Sequence, residues 1–239
     1  MINPLARNGS SAFKTMKQEL ELGGYHTIDC TADERSSDPN HLIRKFQHQI
    51  NIVMIGGGDG SINLALPALL ETQIPLVVYP LGTANNLARS FSLPSDPKSI
   101  VSMLKQGRLI KVDVGMVNEI PFVNVAGLGL STMVNKTVPS MLKKKLGVLA
   151  FIVTAIKLAP KMNPFRATIT QGKSLILHSH SWQISVCNGK YYGAGMAIKH
   201  DASLTDEKLH CLSTEVSKWW QAFTLIPAFF SGRYKKSVS

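Results

Sequence analysis

The sequence predicts an α/β first domain over residues 1–111 and a strand-rich second domain beginning near residue 112. Three observations predict it. Helical and strand signals alternate through the first half, the pattern that builds a parallel sheet with helices on both faces. Glycine clusters follow directly on an apolar, β-branched run. Past Asp113 the pattern changes to short strand-like runs joined by turn dipeptides.

Ser10 to Leu22 has helical periodicity and stops at Gly23-Gly24, a common helix terminator. Tyr25 to Cys30 reads as a short strand and His41 to Ile50 as an amphipathic helix. Asn51 to Ile55 is apolar and bounded by Gly56-Gly57-Gly58, so it reads as a buried strand. The next helix spans Ser61 to Thr72, with Pro67 expected to bend it or loosen its second turn. The strand Pro75 to Leu81 follows, then a helix from Leu87 to Phe91. In the second half the expected strands are Lys111 to Val117, Pro121 to Ala126, Arg166 to Gln171, Ser174 to His180 and Trp182 to Cys187. Asn118-Glu119 and Gly172-Lys173 are their turns. One long helix, Ser140 to Lys161, interrupts them.

The chain has 239 residues with 44% hydrophobic side chains, which excludes a disordered chain. The longest apolar run, Leu146 to Pro160, carries Lys157 and is shorter than a membrane span. Met1-Ile2-Asn3-Pro4 turns polar at once, so no signal peptide is expected. Cys30, Cys187 and Cys211 lie far apart without a CxxC pair, which argues for a reducing cytoplasm over a disulfide framework or a zinc site. Lys and Arg number 26 against 15 acids, a net charge of +11. That excess favours a polyanionic partner. No basic stripe is interleaved with aromatics for base stacking, so phosphate or membrane is expected rather than nucleic acid.

The most informative segment is Gly56-Gly57-Gly58-Asp59-Gly60-Ser61-Ile62-Asn63, which follows a strand and opens a helix. Glycines there let the backbone approach a ligand, and the helix start offers N–H donors to a phosphate. It is neither a P-loop nor a dinucleotide fingerprint. The alternative is a tight strand-to-helix turn with Asp59 as a cap. Pro80-Leu81-Gly82-Thr83-Ala84-Asn85-Asn86 likewise follows a strand and precedes a helix. In a parallel sheet both loops emerge at the carboxyl ends of their strands, where such folds bind ligands. Helix capping is the alternative role for Asn85 and Asn86.

These two segments resemble the diacylglycerol kinase catalytic domain family, particularly its bacterial lipid kinase branch. Asn3-Pro4 with Gly9, Asn188-Gly189, Gly193-Ala194-Gly195-Met196 and Asp201-Ala202-Ser203-Leu204-Thr205-Asp206 match the family's further markers in order. The related NAD kinases share GGDG, but the PLGTAN loop favours the lipid branch. The resemblance implies a Rossmann-like three-layer domain and a β-sandwich-like second domain. It also implies ATP as co-substrate, Mg2+, and γ-phosphoryl transfer to a lipid hydroxyl.

Carried over by residue, the nucleotide contacts fall on Thr31, Gly57, Gly58, Asp59, Gly60, Ser61, Ile62, Asn63 and Thr83. Asp59 would position phosphate-bound magnesium. A second, structural magnesium would take Asp206 and the backbone carbonyls of Ser203 and Lys208, an oxygen set suited to a hard cation. An ordinary aspartate turn is the alternative at Asp206. The implied setting is a cytoplasmic protein at the inner membrane face, acting on a membrane lipid, with a homodimer compatible and nucleic acid not expected.

The chain departs from the family's commoner pattern at four places. Leu64 stands where a glutamate is usual, Asn86 where an aspartate is usual, and Glu207 where a glycine is usual. The family's Asp-Gly-Glu strand, whose glutamate is the expected general base, has no counterpart up to Ser239. The second domain is accordingly expected to be incomplete at its C-terminal end and transfer to be impaired. Trp219-Trp220 with Phe223 to Phe230 suits a core helix or a membrane interface. Lys143 to Lys145 could meet anionic lipid or cap a solvated helix end, and His178, His180 and His200 form no ligand set. Two other functions stay in view: a nucleotide-binding regulatory pseudokinase, and a basic phosphate- or nucleic-acid-binding module.

Overall fold

The computed structural model describes residues 1, 9–28, 30, 37–107, 109–139, 141–142, 146–192, 196–198 and 201–215. Thr31, the Asn3-Pro4 opening, Lys143 to Lys145, Gly193 to Gly195, His200 and the Trp219 to Phe230 stretch lie outside the described residues. The chain forms two compact units, Met1–Val112 with Met116–Phe122, and Asp113–Gly115 with Val123–Ser239.

In the first unit, β1 (Val53–Gly57) pairs in parallel with β2 (Leu76–Pro80), Ile55 opposite Val78 and Gly57 opposite Pro80. Helix α1 (Gly9–Leu22) ends in a turn where Tyr25 N–H reaches Leu20 O and Gly24 N–H reaches Glu21 O. Helix α5 (Pro97–Gln106) packs beside it. Ala12 and Met16 of α1, Ile100 of α5, and Val77 and Tyr79 of β2 form one buried cluster, joined by Met54 of β1. Side chains alternate along a strand, so Val53, Ile55 and Val78 face the other side. There α3 (Asp59–Thr72) contacts β1 and α2 (Pro39–Phe46). Helices on both faces of a parallel pair make the expected three layers.

Tyr25 to Cys30 is a correction. Residues 25–28 and 30 form no strand, and the free edge of β1 is met by Met1 instead, whose amino group donates to Met54 O while Gly56 N–H donates to Met1 O. Helix α5 is an element that periodicity missed. It opens with the same device as α2: an aspartate N-cap before proline, Asp38 accepting from Asn40 N–H and Asp96 accepting from Ser99 N–H.

Pro67 has a specific consequence. It lies inside α3, where it removes a donor and crowds the preceding turn. The helix does not break. The Asn40 side chain of α2 inserts into the opened turn, accepting from Ala68 N–H at 3.0 Å and donating to Leu64 O at 2.6 Å. One side-chain amide thus replaces the lost backbone bond between Ala68 and Leu64. Asn40→Ala should lower stability by about 1–3 kcal/mol, because Ala68 is fully buried and its N–H would have no partner. Urea denaturation checks this; an unchanged midpoint would contradict the repair.

The hairpin of β3 (Gly115–Val117) and β4 (Ile120–Phe122) belongs from Met116 on to the first unit. Its turn residues Asn118 and Glu119 have φ of 46° and 66°, the left-handed pair that a two-residue hairpin needs. The expected strand Pro121 to Ala126 is therefore two strands, because β5 (Val125–Gly129) leaves the hairpin and pairs elsewhere.

In the second unit, β5, β8 (Gln183–Cys187) and β11 (His210–Thr214) form an antiparallel sheet with β8 central. β6 (Phe165–Gln171) and β7 (Ser174–Ser181) form a hairpin around Gly172-Lys173, and β9 (Tyr191–Tyr192) pairs with β10 (Met196–Ala197). Cys187, Ile198, Ala202 and Leu212 form a buried cluster on that sheet. Burial pushes the Cys187 thiol up to about 12, so it is an inert packing group. The single helix expected over Ser140 to Lys161 is corrected. Helix α6 (Leu130–Thr137) precedes that stretch; Met141, Leu142 and Leu146 are helical, but the helix breaks at Gly147, whose φ is 54°, before α7 (Val148–Leu158). A short 3₁₀ turn, Ala159–Lys161, ends it.

Candidate active site

Parallel pairing of β1 and β2 brings their carboxyl ends side by side. Leu81 N–H extends the ladder to Gly57 O at 3.0 Å. Gly57 is therefore the last buried strand residue, and Gly58 is the N-cap of α3, where no side chain supplies a cap. Ser61 and Ile62 both donate their N–H to Gly58 O, which tightens the first turn. Leu64, where the family's glutamate is usual, is 65% exposed on that helix.

The second loop is built around Gly82 and Asn85. Asn85 Oδ1 accepts from Gly82 N–H at 2.9 Å, and Asn85 Nδ2 donates to Gly82 O at 3.0 Å. Arg89 Nε donates to Ala84 O at 2.8 Å and closes the loop from the helix side. Asn85 occupies the N-cap position of α4 (Asn86–Ser90) with φ of 50°, but its side chain does not cap that helix.

Asp59 does. Its Oδ2 accepts from Asn86 N–H at 3.0 Å and its Oδ1 from Leu87 N–H at 3.1 Å. The capping alternative thus holds in altered form: Asp59, from the first loop, caps the helix of the second. The backbones also touch. A Cβ on Gly82 would collide with Gly58 Cα and stand 2.7 Å from Asn85 Oδ1, so only glycine fits there. Gly57, Gly58, Asp59, Gly60, Ser61, Ile62 and Asn63 therefore share one edge with the loop that carries the exposed Thr83. A cavity of about 540 Å³ lined by Phe13, Leu42, Phe46 and Met54 contains no residue of either loop.

In the second unit Asp206 organises its own loop. Its carboxylate accepts from Ser203 N–H, Lys208 N–H and the His210 ring, each at 3.0–3.3 Å. Burial opposes ionisation, but these donors outweigh it and hold the Asp206 carboxyl below the usual carboxylate range. Ser203 and Lys208 thus meet Asp206 through their backbone N–H groups. Among the described residues no group of three His, Cys, Asp or Glu side chains could hold a metal. Beside these three bonds the Asp206 carboxylate keeps one lone pair, on Oδ1.

Asp113 was missed. Its Oδ2 accepts from Glu207 N–H at 2.7 Å, its N–H donates to Leu204 O, and its O accepts from Asn188 Nδ2. It pins the Asp206 loop from a residue more than ninety positions away, a link that no local pattern announces. Glu207, where a glycine is usual, has φ of 56°, a left-handed conformation that costs a non-glycine residue about 1 kcal/mol. Glu207→Gly should therefore raise the melting temperature slightly, by about 0.5–1 kcal/mol of stability. A variant that melts lower would give the Glu207 side chain a role of its own.

A family model described as the diacylglycerol kinase catalytic domain matches residues 1–117, and one described as the YegS C-terminal NAD kinase beta sandwich-like domain matches residues 124–238. This chain belongs to the diacylglycerol kinase family. A probable lipid kinase YegS-like protein of Klebsiella pneumoniae is 31% identical over 201 residues, covering 83% of this chain and 65% of that one. A diacylglycerol kinase of Bacillus subtilis is 31% identical over 159 residues, covering 64% of this chain and 51% of that one. The chain spans about two thirds or less of the length of these relatives. A crystal structure of a diacylglycerol kinase from Bacillus anthracis superposes with a TM-score of 0.69 at 20% identity, covering 98% of this chain and 77% of that one. Asp59 and Gly82 join the loops that precede α3 and α4.

Proposed function

We propose that this chain is the ATP-dependent phosphotransferase domain of a lipid kinase, passing the γ-phosphoryl group to a lipid hydroxyl of the diacylglycerol kind. The observation that carries this reading is the joined pair of glycine loops at the carboxyl ends of two parallel strands, in a chain of this family. The amides at the start of α3, a 14-residue helix, present N–H donors and a positive dipole end to the phosphates. Ser61, Asn63 and the Thr83 hydroxyl contribute side-chain contacts to the same anion. Asp59 keeps one lone pair on each oxygen beside its two amide bonds, enough to hold a water on phosphate-bound Mg2+. Magnesium would neutralise the phosphate charge that develops in transfer. Thr31 belongs to the proposed nucleotide contacts on the family's pattern alone. In the reaction a lipid hydroxyl oxygen bonds to the γ-phosphorus, the bond from that phosphorus to the β–γ bridging oxygen breaks, and the hydroxyl proton leaves to a base. Asp206, with the carbonyls of Ser203 and Lys208, would hold a second Mg2+ that fixes the loop.

The lipid substrate places the protein against a membrane surface. No helix among the described residues is long and apolar enough to cross one, so contact would be peripheral. Neutral Asn86, where the family commonly has an acid, favours a second reading: a nucleotide-binding domain that does not transfer phosphate. Incubation with γ-labelled ATP, magnesium and mixed lipid vesicles separates the readings. Label in the organic phase supports the kinase; nucleotide binding without labelled lipid supports the second reading. Salt-sensitive retention on heparin with neither would return the protein to basic phosphate- or nucleic-acid-binding modules.

A further inference from the structure

The first unit contains a cavity that the two glycine loops do not share. It holds about 540 Å³ and lies among α1, α2 and the segment from Gln49 to Met54 that enters β1. Its floor is apolar and closed: Met16, Ile43 and Val53 are at most 3% exposed. Its rim is apolar and open, with Phe13, Ile28 and Ile52 at 38–40% exposure. Pockets for small ligands are built this way, about 300–1,000 Å³ in volume and mainly apolar.

Charge on the lining has one sign. Among the described side chains that line the cavity, Lys17 is the one permanent charge, His26 adds an imidazole, and there is no aspartate or glutamate. Lys17 Nζ stands 4.0 Å from Glu21, with both side chains about half exposed, a loose pair that leaves the ammonium able to take a second anion. Size narrows the occupant further. A methylene displaces about the volume of one water, about 30 Å³, so the cavity takes about 18 of them. That is one long acyl chain, not the two of a diacyl lipid. Position excludes the phosphoryl acceptor. The cavity borders the amino end of β1, and the glycine loops leave its carboxyl end, five strand residues or about 16 Å away.

We propose that this cavity is a second ligand site, which takes the single chain of a long-chain fatty acid with its carboxylate on Lys17. The site goes beyond the lipid-kinase reading and does not depend on it. The chain covers Met16, Ile43 and Val53, and the carboxylate stays at the half-exposed rim, where Lys17 meets it without full loss of hydration. A nucleotide or a sugar would leave the apolar floor unfilled. A cationic amphiphile would fill it but bring its head against Lys17.

Laurate, kept below the concentration at which it forms micelles, is the probe. It should raise the melting temperature in a saturable way. Affinity should grow about fourfold per added methylene from octanoate to laurate. Cys30 lines the same cavity and reports its occupancy. Burial pushes the Cys187 thiol up to about 12 and raises that of Cys211, so neither competes with Cys30 for a maleimide. Laurate at ten times its Kd should slow alkylation of Cys30, followed by peptide mass spectrometry, about tenfold. Lys17→Gln should weaken laurate about threefold to fivefold and leave dodecanol unchanged. Ile28→Trp adds bulk at the exposed rim, where the fold tolerates it, and should weaken laurate at least about tenfold. Wild-type laurate affinity in a folded Ile28→Trp overturns the proposal, as does dodecyltrimethylammonium binding as tightly as laurate. Displacement of laurate by Mg-ATP or by a short-chain diacylglycerol also overturns it, because the ligand would then sit at the glycine loops. Protection of Cys30 that rises with protein concentration and needs no laurate overturns it too and makes the cavity a self-interface. None of these measurements reads phosphoryl transfer. Failure of laurate to bind removes this site and leaves the kinase reading standing, and failure of the labelled-ATP assay does the reverse.

Discussion

Gly82→Ala should lower the affinity for Mg-ATP by about a hundredfold or more. The added Cβ would collide with Gly58 Cα, crowd Gly58 N at 3.0 Å and press on Asn85 Oδ1 at 2.7 Å. Backbone lies on two of these three contacts, so no side-chain rotation relieves them. The loops must separate, and the pair of hydrogen bonds between Asn85 and Gly82 is lost or distorted. A displacement near 1 Å in a positioned constellation commonly costs about a hundredfold. Overpacking at such a site also costs about 1–3 kcal/mol of stability. Gly60→Ala is the matched control: a Cβ there meets nothing within 4 Å, so the joint between the loops should survive it. Calorimetric titration of both variants with Mg-ATP checks the contrast. Wild-type affinity in Gly82→Ala would mean that the contact between the loops has no part in binding.

Asp59→Asn should weaken Mg-ATP binding and also destabilise the protein in the absence of nucleotide and metal. A purely ligand-facing aspartate would show the first effect alone. Here both carboxylate oxygens accept backbone N–H groups, from Asn86 and Leu87. An asparagine offers one acceptor, and its amide group turns a donor toward the other N–H. Asn86 is 4% and Leu87 5% exposed, so the donor left unpaired has little access to water and should cost about 1–3 kcal/mol. Guanidinium denaturation without ligand is the measurement. An unchanged midpoint would remove the capping role and leave Asp59 as a ligand contact only.

The parts of this protein legible in its sequence are those where local chemistry and tertiary role coincide. The two glycine loops announce themselves because a strand end, a glycine and a helix start must follow one another in order. The turns at Asn118-Glu119 and Gly172-Lys173 are legible for the same reason. Helix α5 was equally open to reading from Asp96-Pro97, an N-cap followed by a proline at the first helical position. Tyr25 to Cys30 misled because β-propensity says nothing about whether an edge is available to pair with. The helix over Ser140 to Lys161 misled because apolar content masks a break at Gly147. What local pattern cannot carry is a long-range substitution of partners. Asn40 repairs a helix that Pro67 opens 27 residues later, and Asp59 caps a helix 27 residues away. In both cases the side chain replaces a group whose absence appears only when the elements are packed.

The most direct test of the account is to titrate Mg-ATP into isotope-labelled protein and follow the backbone amide resonances. The central claim is that the two loops act as a single phosphate-binding edge, locked together by Asp59 and by the Gly58–Gly82 contact. The account predicts that the amides of Gly58 to Asn63 and those of Gly82 to Asn86 shift together, with one affinity, and that both sets lose their response in Gly82→Ala. Shifts confined to the first loop, or two loops that respond with different affinities, would contradict it.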